Sequence, residues 1–215
     1  MDEIRTPSVN GKYKEQWKNL LCAERVCVNE SAHSDDLTDG VNPADDRLPF
    51  ERDYERVVFS SGFRRLAGKN QVSTFPDVDF IHNRLTHSLE VSSIARSLGA
   101  DIAKFLYADR GDIAAEDQEK IIWIAQAAGI AHDLGNPPYG HSGEHAIQDW
   151  ARKLPVEKKI SGASDVWKDF SYYDGNAQSF RLMCSAETRN GQAFIFTAAS
   201  AGALVKYPKI STEFT

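Results

Sequence analysis

The stretch "AHDLGNPPYGHSGEH", residues 131–145, closes the most apolar segment of the chain with three histidines, an aspartate and a glutamate set around two prolines. The segment leading into it, "QEKIIWIAQAAGIAHDLG" (118–135), is apolar on nearly every side. That pattern marks a helix enclosed by other helices. Gly135 and the Pro137-Pro138 pair end the helix. His132 falls on the helix face of Ile121, Ala125 and Ala128, and Asp133 falls in the last turn. A carboxylate there faces the negative end of the helix dipole, which costs a few tenths to about 1 kcal/mol. Partial burial would add a desolvation cost and push the acid towards its neutral form. A divalent cation removes both objections: it keeps the carboxylate ionised, accepts an imidazole nitrogen and becomes the largest local charge.

Working outward, residues 85–106 carry Val91, Ile94, Leu98, Ile102 and Phe105 at steps of three or four, a single apolar stripe on a helix. His87, four residues before Val91, is expected on the same buried face. "FERDYERVVFSSGFRRLAG" (50–68) has Tyr54, Val57, Val58, Phe63 and Leu66 at helical intervals and stops at Gly68. Further helices are expected over 141–153 and over 176–207, the latter broken near Asn190-Gly191. No segment alternates convincingly with period two, and no repeat or low-complexity tract is evident. The expected fold class is all-α.

The bulk numbers narrow the setting. A chain of 215 residues builds one well-cored domain or two small ones. A net charge of −6 argues against a general nucleic-acid or membrane binder, although a local basic patch is compatible with it. "MDEIRTPSVN" has no apolar core of a signal peptide, and "IIWIAQAAGIA" is too short to span a bilayer. Cys22, Cys27 and Cys184 have no zinc-finger spacing and read as free thiols in a reducing, cytoplasmic compartment. Residues 30–47, "ESAHSDDLTDGVNPADDR", are acidic and rich in turn formers. They read as an exposed loop and lack the ligand spacing of an EF-hand. The expected organisation is an N-terminal helical segment and acidic loop over 1–46, followed by one domain from 47 to 215.

Taken singly, each ionisable residue has an ordinary explanation: a hydrogen-bonded core histidine, an aspartate in a turn, a surface arginine, a loop amide. Their conjunction is what points to a metal. His87 on one helix and the His132-Asp133 pair ending another bring imidazole and carboxylate together. That donor set suits Mn²⁺, Fe²⁺ or Co²⁺, and Mg²⁺ less ideally. No thiolate lies nearby, which argues against structural zinc.

"HNRLTHSLEV" (82–91) followed by "AHDLGNPPYGHSGE" (131–144) resembles the HD-domain metal-dependent phosphohydrolases. More narrowly it resembles the deoxyguanosine triphosphate triphosphohydrolases and their dNTPase relatives. "RVVFSSGFRRLAGKNQV", "DGNAQSFRLM" and "SAGALVKYP" extend the likeness from about Arg47 to Pro208. The resemblance implies an HD-type helical bundle with His87, His132 and Asp133 as ligands of a divalent metal. It implies a catalytic pair in His141 and Glu144, which share a helix face at i and i+3. It implies that Arg84 contacts the phosphate chain and that Gln71 reads the sugar 3′-hydroxyl. Asn176, Gln178 and Arg181 would give structural support, while His82 and His145 receive no role.

The implied reaction is hydrolysis of a dNTP, dGTP foremost, to the deoxynucleoside and inorganic triphosphate, with Arg64, Arg65 and Arg84 offsetting substrate charge. The family also implies a homo-oligomer, commonly a hexamer, and in some members an effector nucleotide or single-stranded DNA. The chain departs from the family in one respect. These enzymes complete the metal site with a later aspartate, and no Asp follows Asp174 here. The sequence therefore reads as the N-terminal portion of a longer family pattern, with apolar helix surface expected to be left uncovered. Two other readings stand beside the enzyme. One is a truncated, non-catalytic subunit that binds metal or nucleotide, and the other is an HD nucleotidase of different specificity.

Overall fold

The computed structural model describes residues 11–26, 45–71, 82–155, 164–186, 188–189, 192–193, 196–206, 208 and 210. Cys27, residues 30–44 of the acidic stretch, and Val72 and Tyr207 of the quoted motifs lie outside that set. Helices dominate the described residues: α1 (Lys14–Leu20), α2 (Pro49–Val58), α3 (Ser61–Arg65), α4 (Arg84–Lys104), α5 (Asp117–Ala131), α6 (His141–Lys153), α7 (Ser164–Ser171), α8 (Gly175–Arg181) and α9 (Ala198–Ala203). The all-α class holds.

Helix starts follow capping chemistry. Ser60 accepts from the Phe63 amide, Asn83 from Thr86, Asp174 from Asn176 and Ala177, and Thr197 from Ser200. The Ser60 cap splits the single helix expected over 50–68 into α2 and α3, because its extended backbone (ψ 153°) ends one and begins the other. The helix expected over 176–207 is also divided. After α8 a π turn covers Leu182–Ala186, and two short antiparallel pairs follow. β2 (Thr188–Arg189) pairs with β3 (Gln192–Ala193), and β1 (Arg25–Val26) with β4 (Phe196–Thr197). Fully buried Asp53 on α2 ties the second pair down, accepting from Arg25, Arg56 and both the amide and hydroxyl of Thr197.

The main core gathers Val57, Phe63, Leu66, Ile130, Ala131, Leu134, Met183, Cys184, Phe196 and Ala201. It lies directly under the end of α5, where the sequence turns from apolar to ionisable. A second cluster, Leu21 with Ala103, Leu106, Ile113 and Ile121, anchors α1 against the far ends of α4 and α5.

The α4–α5 pair is the most extensive helix contact, and it corrects the reading of α4. The apolar stripe is not the buried face: Ile94, Leu98, Ile102 and Phe105 are 60, 56, 50 and 50% exposed. The buried residues of α4 are Arg84, Ser88, Ser92, Gly99 and Ala103. The seam works by close approach. A Cβ added at Gly99 would meet Ala125 Cβ at 3.0 Å, and one at Gly129 would meet Ala95 Cβ at 2.9 Å and Ser92 Cα at 3.0 Å. Small residues let the two backbones touch, so the contact leaves no trace in hydrophobic periodicity. His87, half-buried, sits at the margin of this seam rather than within it.

Candidate metal centre

Asn83 fixes the first turn of α4, and the amide of Arg84 bonds to the Lys69 carbonyl at 2.9 Å. Those constraints place His87 one turn into the helix, facing the end of α5. There His132 caps the helix and Asp133 enters the turn that follows. One ligand atom from each of His87, His132 and Asp133 lies within 4.8 Å of the others, and the two imidazoles meet edge to face with centroids 5.2 Å apart.

The donor chemistry of this group fits a cation. His132 Nδ1 lies 2.8 Å from the Gly129 carbonyl, which can only accept, so Nδ1 carries a proton and Nε2 is the nitrogen through which the neutral ring would ligate. Nε2 in turn lies 3.5 Å from Asp133 Oδ1. The Asp133 carboxylate accepts from Arg84 Nη1 at 2.8 Å through Oδ2 and from Asn136 Nδ2 at 2.5 Å through Oδ1. Each oxygen has a second acceptor site, so both remain able to ligate. Sequence reasoning gave the relief of this buried aspartate to a metal alone. The structure adds Arg84, buried beside it, as a fixed compensating charge.

The segment from Asp133 to His141 is a run of tight approaches. Tyr139 and Gly140 both take positive φ, 65° and 55°. For a tyrosine this costs on the order of 1 kcal/mol. Gly140 also passes so close to Arg84 that a Cβ there would lie 2.6 Å from Nη2. Arg84 thus lies between Asp133 and the start of α6. On α6, His141 and Glu144 share a face as their spacing predicts: His141 Nδ1 lies 2.6 Å from Glu144 Oε2. The imidazole is 87% exposed while the carboxylate is buried. Glu144 Oε1 accepts from the Gly175 amide at 2.9 Å.

Gln71 is half-buried on the strand-like segment that pairs Asn70 with Asn83, and its Oε1 is buried with no partner among the described residues. Lys69, unremarked in the sequence, donates to the Asn136 carbonyl at 2.7 Å. Burial, then the neighbouring Arg84 and Arg65, lower its pKa from the ordinary lysine value. Arg64, expected to offset substrate charge, donates to the Phe59 carbonyl at the end of α2. His82 pairs with Glu90 on the surface, and His145 is exposed.

In "DGNAQSFR" the residues that touch the centre are Gly175 and Ser179. Ser179 Oγ accepts from the Gly135 amide at 2.9 Å and lies within hydrogen-bond reach of the His132 carbonyl at 3.2 Å. The hydrogen bonds of Asn176 and Gln178 among the described residues are local to α8 and its cap, Gln178 lying 3.5 Å from Arg181, although the Gln178 backbone packs against Gly135. The only signal for Gly175 and Ser179 was the quoted motif itself, since their partners lie some 30 to 47 positions away in the chain.

Comparison with known proteins now adds to this geometry. Residues 84–169 match the HD domain family model, a span that includes both histidines, Asp133 and the His141–Glu144 pair. That stretch of the chain is similar to the HD domain. It is 38% identical over 194 residues to a "deoxyguanosinetriphosphate triphosphohydrolase-like protein" of Pseudomonas aeruginosa, covering 89% of this chain and 41% of that one. A protein of the same description from Listeria monocytogenes is 37% identical over 179 residues (79% of this chain, 38% of that one). One from Synechocystis is 38% identical over 170 residues, covering 77% and 38%. The chain spans about two fifths of the length of these curated relatives. No described helix is long and apolar enough to cross a membrane.

Proposed function

We propose that this chain carries the metal-binding and proton-transfer part of a dNTP triphosphohydrolase, with dGTP as the foremost substrate. The observation that carries the reading is the convergence of His87, His132 and Asp133, with His132 Nδ1 held by the Gly129 carbonyl and Nε2 on the side of Asp133. The names of the relatives support the substrate class.

In this reading the three side chains hold a divalent cation, Mn²⁺, Fe²⁺, Co²⁺ or Mg²⁺, which when bound supplies Lewis acidity and water activation near neutral pH. Water attacks the α-phosphorus, the bond from phosphorus to the sugar 5′-oxygen breaks, and the water oxygen leaves in the triphosphate. His141 protonates the departing 5′-oxygen through its exposed Nε2. Glu144 holds Nδ1 and stabilises the imidazolium, a contribution of roughly 10²–10⁴ in rate for general acid catalysis. Arg84, Lys69 and Arg65 concentrate positive charge beside the centre in a chain of net charge −6, which suits a polyphosphate. Gln71 offers its unpartnered Oε1 to a substrate hydroxyl.

A homo-oligomer and an effector nucleotide or single-stranded DNA are further parts of the reading, carried by the family resemblance, and a cytoplasmic setting is carried by the cysteine usage. A second reading, binding without turnover, is favoured by the ligand count: the described residues assemble three donors and no fourth carboxylate. Incubating the chain with Mn²⁺ and dGTP, with dGMP in parallel, separates these readings. Release of triphosphate from dGTP supports the first. Bound metal with no product supports the second, and phosphate from dGMP points to a nucleotidase.

A further inference from the structure

The first residue of α8 touches both halves of the site. Gly175 donates its amide to Glu144 Oε1, whose other oxygen holds His141. The same glycine has no room for a side chain: a Cβ would overlap Asn136 Oδ1 and lie 2.7 Å from Glu144 Oε1. At its other end Asn136 donates Nδ2 to Asp133 Oδ1 at 2.5 Å. A continuous path therefore runs from Asp133 through Asn136, Gly175 and Glu144 to His141. The turn it crosses is seated on α8, because Gly135 passes too close to Ser179 N and the Gly175 carbonyl for any Cβ, and Tyr173 Oη donates to the Gly135 carbonyl at 3.2 Å.

We infer that Gly175 is a positioning residue for both halves of the centre. Its amide aims Glu144 at His141, and its missing side chain leaves the space from which Asn136 holds Asp133. The inference rests on the proposed roles of Asp133 and the His141–Glu144 pair. It assigns a function to the glycine of the DGN stretch and to Asn136, neither of which touches substrate in the reading above. The atoms a methyl group would meet are side-chain ends, so the chain can fold around it by moving Asn136 and Glu144 together. That joint movement is the measurable consequence.

The test compares wild type, Gly175→Ala, Asn136→Ala and the double variant. Mn²⁺ affinity is read by electron paramagnetic resonance. The Asn136 side-chain amide and the His141 imidazole are read by NMR on metal-free protein. Gly175→Ala should retain the helical circular dichroism, lose about 10- to 100-fold in Mn²⁺ affinity, as outer partners of metal ligands typically do, and shift both NMR reporters. Asn136→Ala should lose a similar factor, and the double variant no more than the larger single loss, because both changes act through Asp133. Wild-type affinity in Gly175→Ala, additive losses in the double variant, or movement of one reporter without the other would overturn the inference. If Gly175→Ala does not fold, the double variant, which removes the overlap with Asn136, should fold and still show a displaced His141; a double variant that stays unfolded overturns it. A wild-type chain that binds no Mn²⁺ removes the metal reading, while the two reporters still decide the coupling.

Discussion

The two faces of α4 obey opposite rules. Towards α5 it presents Ser88, Ser92, Gly99 and Ala103, residues with little hydrophobicity, and this face is buried. Away from α5 it presents Ile94, Leu98 and Ile102, continued by Phe105 just past its end, which a periodicity argument would bury, and this face is half exposed or more. The difference shows that the seam is specified by how closely two backbones can approach, whereas the stripe is specified by apolar area. The candidate metal group sits at the end of the seam, with His87 from one helix and His132 from the other. Its geometry therefore depends on the glycines and serines rather than on the large side chains.

The contrast is broken most severely at Gly129. Gly129→Val places a branched side chain where a single Cβ already lies 2.9 Å from Ala95 and 3.0 Å from the Ser92 backbone. Urea unfolding should show a loss of about 3 kcal/mol, the upper range for overpacking, and Mn²⁺ binding should disappear with it. A loss under about 0.5 kcal/mol would mean the seam is not tightly packed. His132→Ala separates ligand from scaffold. It should cost at least about 100-fold in Mn²⁺ affinity by calorimetry, while stability changes by about 1 kcal/mol or less because the side chain is only half-buried. Large destabilisation with intact metal affinity would make His132 a core residue.

Below the seam, Cys184 reports on the main core. Burial, and then the Asp53 carboxylate, push its thiol from an ordinary value near 9 up to about 11. Its folded pKa is raised, so the folded state holds the proton more tightly than the unfolded chain. The stabilisation is complete below about pH 9 and is lost as pH rises to about 11. Unfolding free energy should fall across that window, and more gently in Cys184→Ala; identical slopes would place the thiolate in contact with water. The smallest effect belongs to the exposed stripe. Leu98→Ser should alter stability by less than about 0.5 kcal/mol, as exposed substitutions do, while lowering self-association in sedimentation, since patches of this kind mark contact surfaces. A destabilisation of about 2 kcal/mol or more would show Leu98 to be buried.

Much of the centre could be read before the fold, for identifiable reasons. His132 and Asp133 are tied to a glycine- and proline-rich helix stop visible in a single sequence; His141 and Glu144 were singled out by the family resemblance, and His87 was placed by a stripe that the fold leaves exposed. The α4–α5 seam was hidden because small residues carry no hydrophobic signal, and the stripe on the opposite face carried a misleading one. Ser60 was a break of known chemistry, a cap, that strong flanking helical patterns outweighed, while the break expected near Asn190-Gly191 falls on residues outside the described set. Gly175, Ser179 and Lys69 act across long sequence separations, so no local rule could place them beside Asp133, Asn136 and Glu144.

The central claim is that two imidazoles from the two sides of this seam and the carboxylate beside one of them hold a single divalent ion. Crystals grown with Mn²⁺ and measured for anomalous scattering test it directly. The account expects one peak in coordination contact with His87, His132 Nε2 and Asp133; an empty map there, or a peak bound by other residues, contradicts it.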